Sequence, residues 1–296
     1  MTESELKYLF LRQRQSLPIT ITIKIEMAKR RITHWYDMWQ GNVHVTFSGG
    51  KDSTLLLHLV RMLYPHVPAV FVDTGLEFPE IKEFVRTINN VVWLKPKMSF
   101  KQVCETYGYP VVSKETSQKL HEVRHTKSQF MNDLRINGVD GRKRQQIPQK
   151  WKFLIDAPFK VSHKCCDILK KRPLFKYEKE TGSKAITGIM ASESSRRTQK
   201  LAQKGCFIYG DHPTCNPLSF FTEEDVLRCL KYLPHSKIYE MGYSRTGCMF
   251  CMFGVHLNKP NKFQIMKATH PRLWEKGIPA FGIDKIMDFI GVPYGA

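Results

Sequence analysis

The six residues Ser48-Gly49-Gly50-Lys51-Asp52-Ser53 lie between a strand-like stretch, Val43–Phe47, and a segment with apolar residues at helical spacing, Leu55–Leu63. This order predicts a strand, a glycine-rich turn and a helix. The two glycines let the backbone approach a ligand closely, and the amino end of the following helix offers unpaired N–H groups and a positive dipole. The stretch therefore predicts a phosphate-binding loop in an α/β fold.

The side chains of this loop match the same chemistry. Lys51 adds a positive charge, Ser48 and Ser53 add hydroxyls, and Asp52 supplies a carboxylate that can hold a Mg²⁺ ion bridging two phosphates. The spacing differs from the Walker pattern G-x-x-x-x-G-K-[ST]. The loop therefore indicates a different class of phosphate site.

Further strands and helices alternate along the chain. Strand-like stretches lie at Pro68–Asp73, Val91–Leu94 and Lys184–Ile189, with helical patterns between them. Such alternation predicts a doubly wound, mostly parallel α/β sheet. The segment Leu17–Gln40 carries both a strand-like and a helical pattern, and its one-sided apolar residues favour a helix.

Composition and patterning suggest three regions. Residues 1–41 form an amino-terminal helical extension, residues 42–240 the nucleotide-binding α/β domain, and residues 241–296 a carboxyl-terminal region that completes a cysteine set. A basic stretch at about 127–152 predicts an exposed insertion, and its Trp151 is a candidate either for stacking on a base or for packing under a loop.

The charge balance is the most informative number of the composition. The chain has 296 residues, with 46 Lys and Arg against 27 Asp and Glu, and a net charge of +19. This excess favours polyanionic partners such as nucleic acid or phosphorylated metabolites, with a basic solvated surface as the alternative. No apolar stretch reaches the roughly 18 residues of a membrane span, and the first residues do not resemble a secretory signal. We therefore expect a cytoplasmic protein without a membrane partner.

Four of the eight cysteines form a pattern: Cys165-Cys166 and Cys248-x-x-Cys251. In a chain without an export signal, cysteines favour metal or redox chemistry over disulfides. Adjacent cysteines are awkward ligands for one tetrahedral zinc ion, for which spacers of two to four residues are usual. An iron–sulfur cluster, a zinc site and unliganded thiols all stay open at this point.

Sequence motifs add a family resemblance. The stretch Ser48–Ser53 matches the S-G-G-x-D-S signature of the PP-loop ATP pyrophosphatase (adenine nucleotide alpha hydrolase-like) superfamily, and Val72–Pro79 resembles its V-D-T-G element. Blocks around Cys165-Cys166, Gly188, Glu193–Arg197 and Cys248–Cys251 are similar to the phosphoadenosine phosphosulfate (PAPS) reductase family. The resemblance runs from about Val43 to Gly254.

The resemblance implies ATP as substrate, Mg²⁺, and a [4Fe-4S] cluster. It places the cluster on Cys165, Cys166, Cys248 and Cys251, as in adenylylsulfate reductases. It implies nucleotide binding by Ser48, Gly49, Gly50, Lys51, Asp52, Ser53, Asp73, Thr74, Gly75 and Gly188. Lys51, Asp52 and Arg197 are the implied catalytic residues, with the Arg197 guanidinium clamping a phosphate or sulfate oxyanion.

Two departures from the family pattern decide the functional hypothesis. The reductases carry a nucleophilic cysteine near the carboxyl terminus, whereas this chain has no cysteine after Cys251; it also keeps Lys51 and Asp52 in a loop that the reductases usually lose. The combination resembles the ATP pyrophosphatase component of DNA phosphorothioation systems and cluster-bearing tRNA thiolation enzymes. It implies an enzyme that cleaves ATP to AMP and pyrophosphate and adenylates an acceptor for sulfur transfer.

The implied partners are a DNA or RNA acceptor and a sulfur donor such as a cysteine desulfurase, and the oligomeric state is left open. Two alternatives remain. The first is an adenylylsulfate or PAPS reductase that takes its nucleophile from among Cys104, Cys206, Cys215 and Cys229. The second is a nucleotide- and nucleic-acid-binding module in which the cluster is structural.

Overall fold

The computed structural model describes residues 20–139 and 145–295, which form two compact units. The first unit contains the described residues up to Asp73 together with Pro79–Lys95 and Pro173–Ile238. The second contains Thr74–Phe78 and the described parts of 96–172 and 239–296. The units are thus built from interleaved segments, whereas the three regions expected from the sequence follow chain order and stay a prediction.

Helices and strands are numbered separately in chain order. The helices are α1 Ile21–Met38, α2 Lys51–Leu63, α3 Pro79–Arg86, α4 Phe100–Tyr107, α5 Lys114–His125, α6 Gln129–Ile136, α7 Arg172–Thr181, α8 Ser195–Lys204, α9 Glu223–Leu230, α10 Lys262–Thr269, α11 Pro271–Ala280 and α12 Ile283–Phe289. The strands are β1 Val43–Thr46, β2 Ala69–Val72, β3 Val91–Leu94, β4 Val111–Val112, β5 Lys184–Ile186, β6 Phe207–Ile208, β7 Thr214–Cys215 and β8 Met252–Phe253.

The first unit contains a six-stranded sheet with the strand order β3-β2-β1-β5-β7-β6. All neighbouring strands run parallel except β6 and β7, which are antiparallel at one edge. In the register of the central strand, Val45 pairs with Ala69 on one side and with Ile186 on the other. The expected doubly wound, mostly parallel α/β fold is therefore confirmed.

Helix α1 resolves the ambiguous amino-terminal pattern. The Thr20 side chain caps it by accepting a hydrogen bond from the Ile23 N–H, and Ala28, Ile32 and Trp35 are fully buried along one face. These residues recur at helical spacing, so burying them outweighs the local strand-like alternation. The helical prediction is confirmed for the described residues of this segment.

The second unit contains a short parallel pair, β4 with β8, surrounded by helices. The stretch of the expected basic insertion, about 127–152, belongs to this unit where it is described. Leu134 in α6 and Ile147, Trp151 and Leu154 around a 3-10 segment, Gln149–Asp156, are all buried. Burial of these apolar side chains holds parts of the stretch against the unit, whereas the basic Lys127 and Lys150 are exposed, so the exposed insertion stays a prediction. Arg142, Lys143 and Arg144 lie outside the described residues.

The helices of the described residues were compared with the requirements of a membrane span. Across residues 20–139 and 145–295, none combines sufficient length with sufficient apolar content to cross a bilayer.

Candidate functional site

The conformation of the predicted phosphate loop, Ser48–Ser53, requires a glycine at position 49. Gly49 has φ +70°, a left-handed conformation that favours glycine. A Cβ built there would lie 2.8 Å from Val85 Cγ2 and 2.9 Å from Ile81 Cγ2, both on α3. The turn that leads from β1 into α2 is therefore pressed against a neighbouring helix, which holds the backbone in one conformation.

Serine hydroxyls fasten the same loop from inside. Ser53 Oγ donates to the Gly50 carbonyl at 2.9 Å, and it lies 3.1 Å from Ser48 Oγ. The Ser48 N–H donates to Ser53 Oγ at 3.2 Å. Gly50 is the N-cap of α2 and carries no side chain, so no side chain of its own covers the first N–H groups of the helix. The loop has the form of an anion-binding turn.

A second strand end approaches this turn. A Cβ on Gly188, which follows β5, would lie 3.2 Å from the Asp52 carbonyl oxygen. The structure therefore brings Gly188 together with Ser48–Ser53, two groups that are more than a hundred residues apart in the sequence. Their meeting at the carboxyl ends of β1 and β5 agrees with the usual position of ligand sites in open α/β sheets.

The charged residues expected in this site are held by opposite charges. Lys51 is 5% exposed and forms an ion pair with Glu223, the first residue of α9. Arg197 forms an ion pair with Glu193, whose Oε2 also accepts from the Met190 N–H at 3.1 Å. Both cations belong to the first unit, and their side chains are positioned before any phosphate binds.

Asp73, the residue after β2, is paired in the same way. Its Oδ1 lies 2.6 Å from Lys82 Nζ, and its backbone N–H donates to the Leu94 carbonyl at 2.8 Å. The carboxylate therefore stands at the end of the sheet with its charge balanced by a lysine of α3.

Thr74 and Gly75, the next two residues, belong to the second unit. The Thr74 N–H and hydroxyl both donate to the Glu77 carboxylate, at 3.0 and 2.7 Å. The Leu76 carbonyl accepts from the Met249 N–H at 2.7 Å. Within the second unit, Thr74–Phe78 is thus fastened to the Cys248-x-x-Cys251 turn, a connection that the separation in sequence does not reveal.

Five cysteines of the second unit lie close enough to act on one another electrostatically. Burial raises the pKa of Cys165, and the neighbouring Cys166, Cys248, Cys251 and Cys104 raise it further. Burial likewise raises the pKa of Cys166 and of Cys248, with Cys251 adding to both shifts. The four cysteines named from the sequence are therefore brought together, and all eight cysteines of the chain are free of disulfides.

Two lysines face this cysteine group, which comprises Cys104, Cys165, Cys166, Cys248 and Cys251. Cys248 raises the pKa of Lys170, which forms a hydrogen bond with the Cys248 side chain, although burial opposes the shift. Lys262 Nζ donates to the Cys248 carbonyl at 3.1 Å. Burial lowers the pKa of Lys262, partly offset by Cys251 and Cys248. Positive charge therefore lies beside the thiols.

The cysteine group was also compared with the geometry of a single-ion site. Within residues 20–139 and 145–295, no three or more His, Cys, Asp or Glu side chains are arranged to hold one metal ion. A tetrahedral zinc ion binds its sulfurs at about 2.3 Å and so needs them in close contact with one another.

Sequence reasoning missed several residues of these sites. Cys104 is 3% exposed, and burial together with Cys251 raises its pKa to about 12. Its place in the cysteine group follows from the packing of α4, and no motif around it signals this. Glu223 and Lys262 were also missed, because their partners are distant in sequence. Glu223 pairs with Lys51, 172 positions away, and Lys262 donates to Cys248, 14 positions away. Trp151 is 7% exposed and packs against His256, which leaves its ring buried and not open for base stacking.

The remaining cysteines lie in the first unit, apart from this group. Cys215 is buried in β7, and burial raises its pKa well above the ordinary value, with Cys206 nearby. Burial also raises the pKa of Cys229 in α9, and Asp225 adds to the shift. A raised pKa disfavours the thiolate, so neither Cys215 nor Cys229 has the environment of an activated nucleophile.

Comparisons with known proteins support the family and leave the reaction open. The profile of the phosphoadenosine phosphosulfate reductase domain matches residues 42–109 and 94–253. Two uncharacterized proteins of Methanocaldococcus jannaschii are each 28% identical to this chain. The first alignment covers 83% of this chain and 42% of the relative, and the second covers 86% of this chain and 52% of the relative. The adenosine 5'-phosphosulfate reductase of Lysinibacillus sphaericus is 22% identical over 74% of this chain and 78% of its own length.

Among solved structures, the phosphoadenylyl-sulfate reductase of Candida auris in its phosphate complex aligns with a TM-score of 0.44 at 16% identity. The alignment covers 74% of this chain and 87% of that one.

Proposed function

This chain belongs to the phosphoadenosine phosphosulfate reductase domain family, and we propose that it cleaves ATP to AMP and pyrophosphate to adenylate an acceptor for sulfur transfer. The observation that carries the proposal is the phosphate loop, in which Gly49 and Gly188 shape a turn around the buried Lys51. A loop with its lysine and Asp52 intact suits a nucleoside triphosphate, which carries more negative charge than a phosphosulfate.

In the proposed reaction, an oxygen of the acceptor attacks the α-phosphorus of ATP. The bond between that phosphorus and the oxygen bridging to the β-phosphorus breaks, so pyrophosphate leaves with the bonding electrons. A sulfur nucleophile at the oxidation level of sulfide then displaces AMP from the acceptor. Lys51 and Arg197 would balance the phosphate charge, and Asp52 would hold Mg²⁺.

The second unit would supply the sulfur chemistry. Cys165, Cys166, Cys248 and Cys251 would hold a [4Fe-4S] cluster, because soft thiolate donors are the usual ligands of such clusters. Lys170 and Lys262 beside Cys248 fit the negative charge of such a centre. The cluster would supply a site that carries sulfur or electrons to the acceptor.

A nucleic acid is the acceptor we propose. The net charge of +19 supports it, and Lys150 is exposed in the basic stretch. The acceptor would be held by its phosphates and not by stacking on Trp151, because that ring is buried. A cysteine desulfurase would donate the sulfur as a persulfide, and a dithiol reductant would supply the two electrons that bring it to the level of sulfide before transfer.

The test is pyrophosphate release by anaerobically reconstituted protein with ATP and Mg²⁺, with and without single-stranded DNA or RNA. We expect nucleic acid to increase the rate at least tenfold, because the acceptor oxygen is the attacking group. No increase with any DNA or RNA would overturn the nucleic-acid acceptor.

The same preparation tests the reductase alternative, which is consistent with the family match. That reaction would release sulfite from adenylyl sulfate with thioredoxin and would need a thiolate nucleophile. Sulfite release that disappears in Cys206→Ser would replace the proposal with a reductase. Cys206 is the half-buried candidate, whereas Cys215 lies inside the sheet.

A further inference from the structure

The amino end of α2 is built to hold an anion next to Lys51. Lys51 is the first residue of this helix, where the helix dipole is positive and repels a cation. The side chain is also 5% exposed, so its charge is largely removed from water. A buried lysine in this position requires an opposite charge nearby.

In this structure the Glu223 carboxylate supplies that charge. Glu223 Oε1 forms the ion pair with Lys51 Nζ, and the two residues are far apart in the sequence but belong to the same unit. A carboxylate and a phosphate oxygen present the same kind of acceptor to an ammonium group. Glu223 therefore provides at Lys51 the type of contact that a polyphosphate would provide.

The backbone of Glu223 is fixed, although its side chain can leave. Thr222 and Asp225 form a reciprocal capping box around the start of α9. Asp225 also accepts from the buried Lys24 at 2.5 Å, which anchors this helix end to α1. The Glu223 side chain is nevertheless 48% exposed, so water can receive its carboxylate when another anion takes the lysine.

We propose that Glu223 is an internal competitor of the polyphosphate: it pairs with Lys51 in the free protein and is displaced when nucleotide or pyrophosphate binds. The inference rests on the proposed function, because it concerns the regulation of the same phosphate site. The exchange replaces one ion pair by another and involves no covalent step. It lowers affinity for ATP and for pyrophosphate alike, and it assists release of the product.

The experiment compares wild-type protein with Glu223→Gln by calorimetric titration with pyrophosphate and with ATP, each with Mg²⁺. The variant keeps the size of the side chain and removes its charge. We expect the Kd for both ligands to fall about tenfold, since a charge-assisted contact that is half exposed no longer competes. Glu223→Asp keeps the charge on a shorter side chain and is expected to give an intermediate Kd.

Thermal unfolding separates competition from a purely structural role. Without ligand, Glu223→Gln lowers the Tm because the buried Lys51 loses this ion pair, whereas saturating pyrophosphate raises the Tm of this variant more than that of wild type. The matched control is Glu224→Gln. Glu224 is also in the first turn of α9 and pairs with Arg228 on the surface, so neither the Kd nor the ligand-induced Tm shift is expected to change.

The outcomes are distinguishable. Wild-type binding with an unchanged or weaker affinity in Glu223→Gln would overturn the inference alone and leave the proposed function standing. An absence of pyrophosphate and ATP binding in both proteins would overturn the proposed function and this inference with it.

Discussion

The phosphate loop of the first unit and the cysteine group of the second differ in how their reactive side chains are balanced. In the first unit several expected site charges meet an opposite one, as in the pairs Lys51–Glu223, Lys82–Asp73 and Arg197–Glu193. In the cysteine group, burial and neighbouring thiols raise the pKa of Cys165 and Cys166. The loop lysine thus has a counter-charge within the protein, whereas the thiols would become thiolates only with a metal that displaces their protons.

This difference separates two kinds of preorganisation. Binding at the loop exchanges one anion for another, so its affinity depends on how firmly the present partner is held. Metal binding at the cysteine group, as proposed, would remove protons from buried thiols, so its affinity would depend on the metal and on the lysines beside Cys248. Substitutions in one unit should therefore leave the other function intact, and this expectation can be tested.

The largest effect is expected from Cys248→Ser. Loss of one of the four proposed ligands should lower the iron bound after anaerobic reconstitution by tenfold or more, since even substitutions behind the ligands change metal affinity by about 10- to 100-fold. Iron analysis and the visible absorbance measure this, and calorimetric ATP binding should stay within about twofold of wild type.

Cys229→Ser is the matched control, because Cys229 is half-buried in the first unit and apart from the cysteine group. It should retain the full iron content. Equal iron in Cys248→Ser and wild type would remove Cys248 from the proposed ligand set.

The next effect concerns stability and compares a glycine from each unit. Gly49→Ala places a methyl group in a left-handed conformation and against Val85 and Ile81, so we expect it to lower the free energy of unfolding by about 3 kcal/mol. Gly75 has φ +78° but has nothing within 4 Å of its built Cβ, so Gly75→Ala should lower it by about 1 kcal/mol.

Urea unfolding followed by circular dichroism measures both changes. Gly49→Ala should also weaken pyrophosphate binding while leaving the iron content unchanged. Equal destabilisation by the two substitutions would show that the contact of the loop with α3 contributes nothing beyond backbone strain.

The smallest effect is a pH dependence in the first unit. His44 is fully buried in β1, where Nδ1 lies 3.0 Å from Ser183 Oγ and Nε2 lies 3.9 Å from Glu178 Oε1. Burial lowers the pKa of His44 to about 4. Between pH 6.5 and 4 the unfolded chain binds a proton that the folded protein does not, so stability falls as the pH falls. This contributes a loss of about 2 kcal/mol from pH 6.5 to 5.

The measurement is urea unfolding of wild type and His44→Asn at both pH values. Asn keeps a polar group near Ser183 and does not titrate, so the variant should lose less stability on acidification. Burial raises the pKa of Glu178, which also faces His212, but Glu178 is present in both proteins and the comparison isolates His44. An equal loss in the two proteins would contradict the assignment. Burial thus favours the neutral form in both units, lowering the pKa of a histidine in one and raising the pKa of thiols in the other.

Local elements were largely predictable from the sequence. The strand at Val43–Thr46, the turn at Gly49-Gly50 and the capping box at Thr222–Asp225 follow from residue type and spacing over a few positions. The grouping of Cys165-Cys166 with Cys248 and Cys251 came from a family resemblance, and the electrostatic contacts between them agree with it. Their binding of iron remains a proposal.

The sequence by itself determined the α/β fold and the position of the glycine turn between β1 and α2, because periodicity, glycine conformation and helix capping act over short stretches. Only the tertiary structure paired Lys51 with Glu223, placed Cys104 among the other thiols and joined Leu76 to Met249. These contacts link residues from distant elements whose meeting depends on how helices pack on strands. Their charges and thiols are common residue types that carry no local signal, so packing decided which of them act together.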